Sequence, residues 1–98
     1  MPIATATKVE VLRVLVQAGP AARALLSSAE CDLLIETCAD VARMADDLPG
    51  PQPRDRGRAA RDGTSLLLEL GCPRVDGQLR GALARAVERV VVRRLSVA

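Results

Sequence analysis

The most nucleophilic side chains in this 98-residue chain are three cysteines, Cys31, Cys38 and Cys72. A catalytic thiol needs a lowered pKa and usually a base beside it, and the sequence contains no histidine to serve as that base. Cys72 precedes Pro73 at a predicted helix end, where Arg74 could stabilise a thiolate. The alternative without chemistry is that all three are reduced thiols that pack as small apolar side chains. We favour this alternative, and Cys72 remains the one candidate reactive thiol.

A row of carboxylates on one predicted helix face, Asp32, Glu36 and Asp40, has the residue type of a metal site. Di-metal centres in helical bundles combine such carboxylates with histidines that project inward. Here histidine is absent, and the row lies opposite the apolar stripe of its own helix. We therefore expect a solvent-exposed face, with neither a metal nor another cofactor.

Three arginines, Arg85, Arg89 and Arg93, recur every fourth residue and share one face of the last predicted helix. Such a row could follow the phosphates of a nucleic acid, because non-specific affinity grows with the number of phosphate contacts. The net charge of only +2 and the single lysine argue against this use. Seven acidic side chains lie in the first 50 residues and ten arginines in the rest. We favour neutralisation between the two halves, within a protomer or across a dimer.

The chain also contains no tryptophan, tyrosine or phenylalanine. It therefore has no aromatic platform on which bases could stack and no large rigid side chain of the kind that dominates tight interfaces. Together with the missing histidine, this composition disfavours an enzyme.

Capping and breaking residues divide the chain into helices within a single domain, residues 1–98. Thr7 and Glu10 form one predicted capping box and Ser27 and Glu30 another, and Gly19-Pro20 ends the first helix. The valine-rich segments Lys8–Val16 and Val87–Arg94 also suit strands, which is the alternative interpretation. The predicted order is a flexible arm 1–6, helix 8–18, a short helix within 21–26, helix 29–48, a Pro-rich loop 49–54, helix 55–70 and helix 76–95. The predicted fold is all-α: an antiparallel bundle of four principal helices with one short extra helix.

The first helix is apolar around most of its circumference, and the central helix has an apolar arc wider than one neighbour covers. We expect the apolar surface that the chain's own helices leave uncovered to form a homodimer interface through Val11, Leu15, Leu33 and Met44. The reason is that monomers rarely expose a contiguous apolar patch. No segment is long and apolar enough to suggest a membrane span, and the N-terminus does not resemble a signal peptide. A cytoplasmic location is the expectation.

The order of helices over residues 25–94, with Asp47-Leu48-Pro49 after the central helix and Leu79–Val87 in the last one, resembles small helical proteins encoded beside natural-product gene clusters in GC-rich bacteria. This resemblance implies an accessory role and no chemistry for any residue. The leading hypothesis is therefore a non-catalytic interaction protein that binds a protein partner. A small DNA-binding regulator that uses the last helix is the first alternative. A bundle that binds a small molecule, or acts on one, in an aliphatic pocket is the second.

Overall fold

The computed structural model describes residues 1–48 and 52–96, with side chains described as far as Arg94. Its helices are α1 (Ile3–Ala18), α2 (Pro20–Ala24), α3 (Ser28–Asp47), α4 (Pro53–Gly71) and α5 (Gly77–Ser96). The described residues contain no strand, so the all-α prediction is confirmed and both valine-rich segments are helical. Residues 49–51 of the predicted loop lie outside the described residues, and Pro53 and Arg54 belong to α4.

The start of α1 corrects the sequence analysis. The predicted arm 1–6 is helical from Ile3, and Pro2 occupies the N-cap position. Thr7 is therefore not a cap but an interior residue with no exposed surface. Its hydroxyl donates to the Ile3 carbonyl oxygen at 2.7 Å, one turn earlier. That bond satisfies the hydroxyl inside the helix, while Ile3 packs into the core and extends α1 toward the N-terminus.

The caps of α3 and α5 agree with the sequence. The Ser27 hydroxyl accepts from the Glu30 backbone N–H at 3.1 Å, and the Ser27 N–H donates to Glu30 Oε1 at 2.9 Å. This reciprocal pair lowers the pKa of Glu30, mainly through the hydrogen bond from the Ser27 backbone. At the start of α5, Asp76 Oδ1 accepts from the Leu79 N–H at 2.7 Å. Both boundaries are therefore fixed by local hydrogen bonds that short sequence motifs predict.

The four long helices form an antiparallel bundle in which each packs on its neighbour in the ring α1–α3–α4–α5. Cross-helix ion pairs join neighbouring helices: Lys8 pairs with Glu36 at 2.9 Å, and Arg61 with Glu88 at 3.6 Å. Arg94 near the end of α5 reaches the Met1 carbonyl oxygen at 3.2 Å, which places the end of α5 beside the start of α1. α1 and α4 occupy opposite corners without packing against each other in the described residues. The side of the bundle formed by α1 and α5 therefore lies opposite the side formed by α3 and α4.

The core consists of aliphatic side chains, small residues and two thiols, with Leu34, Cys38, Leu68, Leu83 and Val87 fully buried at its centre. The most extensive packing joins α4 to α5, where small residues allow a close approach. A Cβ at position 57 would overlap Val92 Cγ2. Gly57 is a poor helix former, and the close approach of α4 to α5 gives it a packing role.

Candidate functional site

The four residues predicted to form a dimer interface do not share one surface. Val11 and Leu15 are buried in the core of this chain, at 0% and 3% exposure. Leu33 and Met44 are exposed, at 48% and 57%. The free surface of α1 is smaller than its sequence predicts, because α3 and α5 both pack against it and Ile3 adds a further turn. Val11 and Leu15 therefore cannot contact a partner unless the protomer opens, and only Leu33 and Met44 remain as candidates.

The largest group of exposed apolar side chains lies on the paired helices α3 and α4. We call it the α3–α4 face, and it comprises six residues that are each at least 41% exposed: Leu33, Met44, Leu48, Leu66, Leu67 and Leu70.

The register of α3 against α4 brings these six side chains together. Gly63 faces Val41, since a Cβ at 63 would lie 3.7 Å from Val41 Cγ1. The helices are antiparallel, so Leu67, one turn beyond Gly63, lies level with Thr37, one turn before Val41. Leu70 then lies close to the level of Leu33. The apolar side chains consequently follow the α3–α4 seam along most of its length.

A shorter apolar strip on α1 is the nearest rival to this face. Val9, Leu12 and Val16 are exposed at 43%, 50% and 68% and point away from the core. Acidic side chains of α3 border the strip, because Lys8 on α1 is paired with Glu36. The strip is thus smaller than the α3–α4 face and more polar at its edge.

The carboxylates of the α3 row, Asp32, Glu36 and Asp40, are exposed as the sequence predicts. Lys8 lowers the pKa of Glu36 through a hydrogen bond and its charge, and Arg43 pairs with Asp40. Within residues 1–48 and 52–96, no three cysteine or carboxylate side chains are grouped as metal ligands would be. The row has the arrangement of a solvent face held by surface ion pairs.

Cys72 is not the exposed thiol that its place before Pro73 suggested. Its exposure is 2%, and burial raises the pKa of its thiol, with a further contribution from Glu30. Burial also raises the pKa of Cys38, to about 12. Both shifts oppose formation of the nucleophilic thiolate. The expected exposure of Cys72 is therefore wrong, because the turn after α4 folds its side chain into the core.

The arginine row on α5 is exposed, but its three members differ. Arg93 Nη1 lies 4.0 Å from Glu10 Oε1, so that cation already faces a carboxylate of α1. Arg85 and Arg89 form no ion pair or hydrogen bond with the described part of the chain. They line a cleft of about 440 Å³ between α5, α2 and the second half of α1. Arg85 and Arg89 therefore lie in a concave cleft, whereas Arg93 is paired with a carboxylate. The three arginines do not form a uniform convex ridge.

The cleft also contains residues that the sequence analysis did not select, notably Gln17 on α1 and Gln78 on α5. Each is a lone amide in an amphipathic helix, and nothing in its spacing links it to Arg85 or Arg89. The only sequence signal was the polar arc of α1, which ends at Gln17. The pairing of α1 with α5 brings these positions together.

No family model, curated protein or solved structure matches this chain. None of the described helices has the length and apolar character needed to cross a membrane. Two surfaces of the described chain are the functional candidates: the α3–α4 face and the cleft lined by Arg85 and Arg89.

Proposed function

We propose that this protein is a non-catalytic interaction protein that uses the α3–α4 face as its docking surface, and that the first occupant of this face is a second copy of the chain. The observation that carries the proposal is the set of six exposed apolar side chains along one seam. Isolated exposed leucines are ordinary, whereas a contiguous apolar patch usually marks a contact surface.

The size of the face suits a dimer. Two helices of about 20 residues, about 30 Å long and packed roughly 10 Å apart, present a surface of about 600 Å². A standard interface buries about 800 Å² on each partner, so the face and its charged border supply the area required. Burying this surface also adds stability to a chain whose core contains no aromatic ring.

Charge favours a second copy as the occupant. α3 carries one arginine and six carboxylates, whereas α4 carries four arginines and three carboxylates. A two-fold axis parallel to the helices lays α3 of each protomer over α4 of its partner. The acidic α3 of each copy then lies against the net positive α4 of the other.

The accessory role implied by the resemblance to proteins encoded beside natural-product gene clusters is compatible with this proposal and adds no site to it. The DNA-binding alternative has less support. Of the three predicted arginines, Arg93 faces Glu10, and the other two line a concave cleft whose far end contains Asp76.

Sedimentation equilibrium on matched double variants tests the proposal. Leu66→Gln with Leu70→Gln removes the most exposed part of the α3–α4 face without altering the core. Leu12→Gln with Val16→Gln makes comparable changes on the α1 strip. We expect the wild-type chain to be dimeric at tens of micromolar, the α4 pair to weaken the dimer at least tenfold, and the α1 pair to leave it unchanged. A wild-type monomer at 500 µM, or dissociation by the α1 pair alone, would overturn the proposal.

A further inference from the structure

We propose that the cleft between α1, α2 and α5 binds a small organic carboxylate with an aliphatic body, held at its charged end by Arg85 and Arg89. This inference does not depend on the proposed dimer. The cleft lies on the α1–α5 side of the bundle and the docking surface on the α3–α4 side, so either can exist without the other.

Arg85 and Arg89 both line this one cleft. Arg85 and Arg89 are one turn apart on the same face, about 6 Å along the helix axis. The Arg85 side chain turns back over its own helix, since a Cβ at Gly81 would lie 3.3 Å from Arg85 Nη1. A side chain at 81 would occupy that space, so the glycine leaves room for the cation against the helix.

Neither cation is neutralised by the described part of the chain, although neighbouring cations on the same side are. Arg13 donates to Glu10 Oε1 at 3.1 Å, and Arg93 Nη1 lies 4.0 Å from the same oxygen. The Glu10 carboxylate is thus used further along α1, and a bound anion would supply a partner for Arg85 and Arg89. Guanidinium groups bind carboxylates through paired, charge-assisted hydrogen bonds.

The remaining walls suit an aliphatic body rather than a bare inorganic ion. Val14 and Leu79 form buried apolar parts of the lining, and Ala18 and Ala82 add small side chains that leave space between α1 and α5. The volume of about 440 Å³ falls in the range of small-molecule sites. Such a mixture of apolar wall and few polar groups is typical of sites that bind amphipathic ligands.

The charge distribution also orients the ligand. Asp76 lines the far end of the cleft, about 20 Å along α5 from Arg89 at 1.5 Å per residue. Its carboxylate is held at that end by the Leu79 N–H at 2.7 Å and repels an anion there. The ligand carboxylate therefore lies toward Arg85 and Arg89, with the aliphatic chain directed along Leu79 and Ala82 and the Gln17 and Gln78 amides at its sides.

The test is a titration of the full chain with sodium octanoate, followed by the backbone amide shifts in heteronuclear NMR. We expect saturable shifts at Ala18, Gln78 and Ala82, and Arg85→Gln or Arg89→Gln should each weaken binding about tenfold, as the loss of one charge-assisted hydrogen bond implies. Arg58→Gln on α4 makes the same charge change outside the cleft and should have no effect. Octanol, which has the same chain without the charge, should bind more weakly than octanoate.

Three results would overturn the proposal. The first is an absence of saturable shifts in the cleft. The second is equal binding by wild type, Arg85→Gln and Arg89→Gln, which would indicate adsorption of the aliphatic chain alone. The third is tighter binding of inorganic phosphate than of octanoate at the same arginines, which would make the cleft a site for inorganic anions. Ala18→Leu narrows the cleft while keeping both cations, and it should weaken octanoate without affecting the fold, because Ala18 is exposed.

Discussion

Two buried threonines, Thr7 and Thr64, show how differently the same side chain can be accommodated. Both have no exposed surface. The Thr7 hydroxyl donates to the Ile3 carbonyl oxygen, whereas Thr64 Oγ1 has no hydrogen-bond partner in the described structure. An unpaired buried hydroxyl loses its hydration without compensation, so Thr64 destabilises the core of α4.

We therefore expect Thr64→Val and Thr7→Val to have opposite effects on the free energy of unfolding. Valine has the shape of threonine and a similar helix propensity. Replacing Thr64 should raise stability by about 1 kcal/mol, and replacing Thr7 should lower it by about 1 kcal/mol. Urea unfolding followed by circular dichroism measures both. A shift of the same sign in the two variants would contradict this account of the hydroxyls.

The cysteines give a second prediction at the residue scale. Cys31 is partly exposed, whereas Cys38 and Cys72 are buried with raised pKa values. A raised pKa lowers the thiolate fraction at pH 8, and burial blocks access as well. Iodoacetamide at pH 8 should therefore modify Cys31 in the folded protein and reach the other two only after unfolding in urea. Peptide mass spectrometry reads the sites, and modification of Cys72 as fast as Cys31 in the folded chain would contradict its buried position.

For the individual helices, caps that depend on residues close in sequence could be predicted, whereas contacts between helices could not. The capping box at Ser27 and Glu30 and the cap at Asp76 each depend on residues three apart, and both form as predicted. Thr7 and Glu10 have the same pattern but do not cap, because burial of Ile3 against the bundle continues the helix through them. The sequence pattern indicates a preference for an N-cap, and packing between helices determines whether the cap forms.

Gly57 and Gly63 of α4 allow the effect of helix propensity on stability to be distinguished from the effect of packing between helices. Gly63→Ala should raise the free energy of unfolding by about 0.5–1 kcal/mol, because alanine is the better helix former and the new Cβ would lie 3.7 Å from Val41 Cγ1. Gly57→Ala should lower it by about 1 kcal/mol, because the new Cβ overlaps Val92, whose branched side chain turns little within a helix.

Thermal and urea unfolding of the two alanine variants measure these changes. Both substitutions replace glycine by alanine in one helix, so the gain in helix propensity is the same for both. The difference between their free energies of unfolding therefore reports how closely α4 approaches α5. Equal stabilisation by both would show that α4 and α5 are further apart than described.

For the whole molecule, the fold class and the helix order follow from the sequence, but the surfaces do not. Helical periodicity identifies the apolar stripe of α3 and places Leu33 and Met44 at its edge. It cannot say that Val11 and Leu15 are fully covered, because this depends on how closely α3 and α5 both approach α1. In the sequence, Leu66 and Leu70 form the apolar end of an Arg-rich helix, and only the α3–α4 register makes them neighbours of Leu33. The same holds for Gln17 and Arg85, which meet through the α1–α5 contact.

The central claim concerns the α3–α4 face, and isotope-filtered NMR on a mixture of labelled and unlabelled chains tests it most directly. In such a sample, cross-peaks between labelled and unlabelled methyl groups report only contacts between protomers. We predict that Leu33 and Met44 of one copy contact Leu66 and Leu70 of the other. Intermolecular cross-peaks confined to Val9, Leu12 and Val16 on α1, or none at millimolar concentration, would contradict the claim.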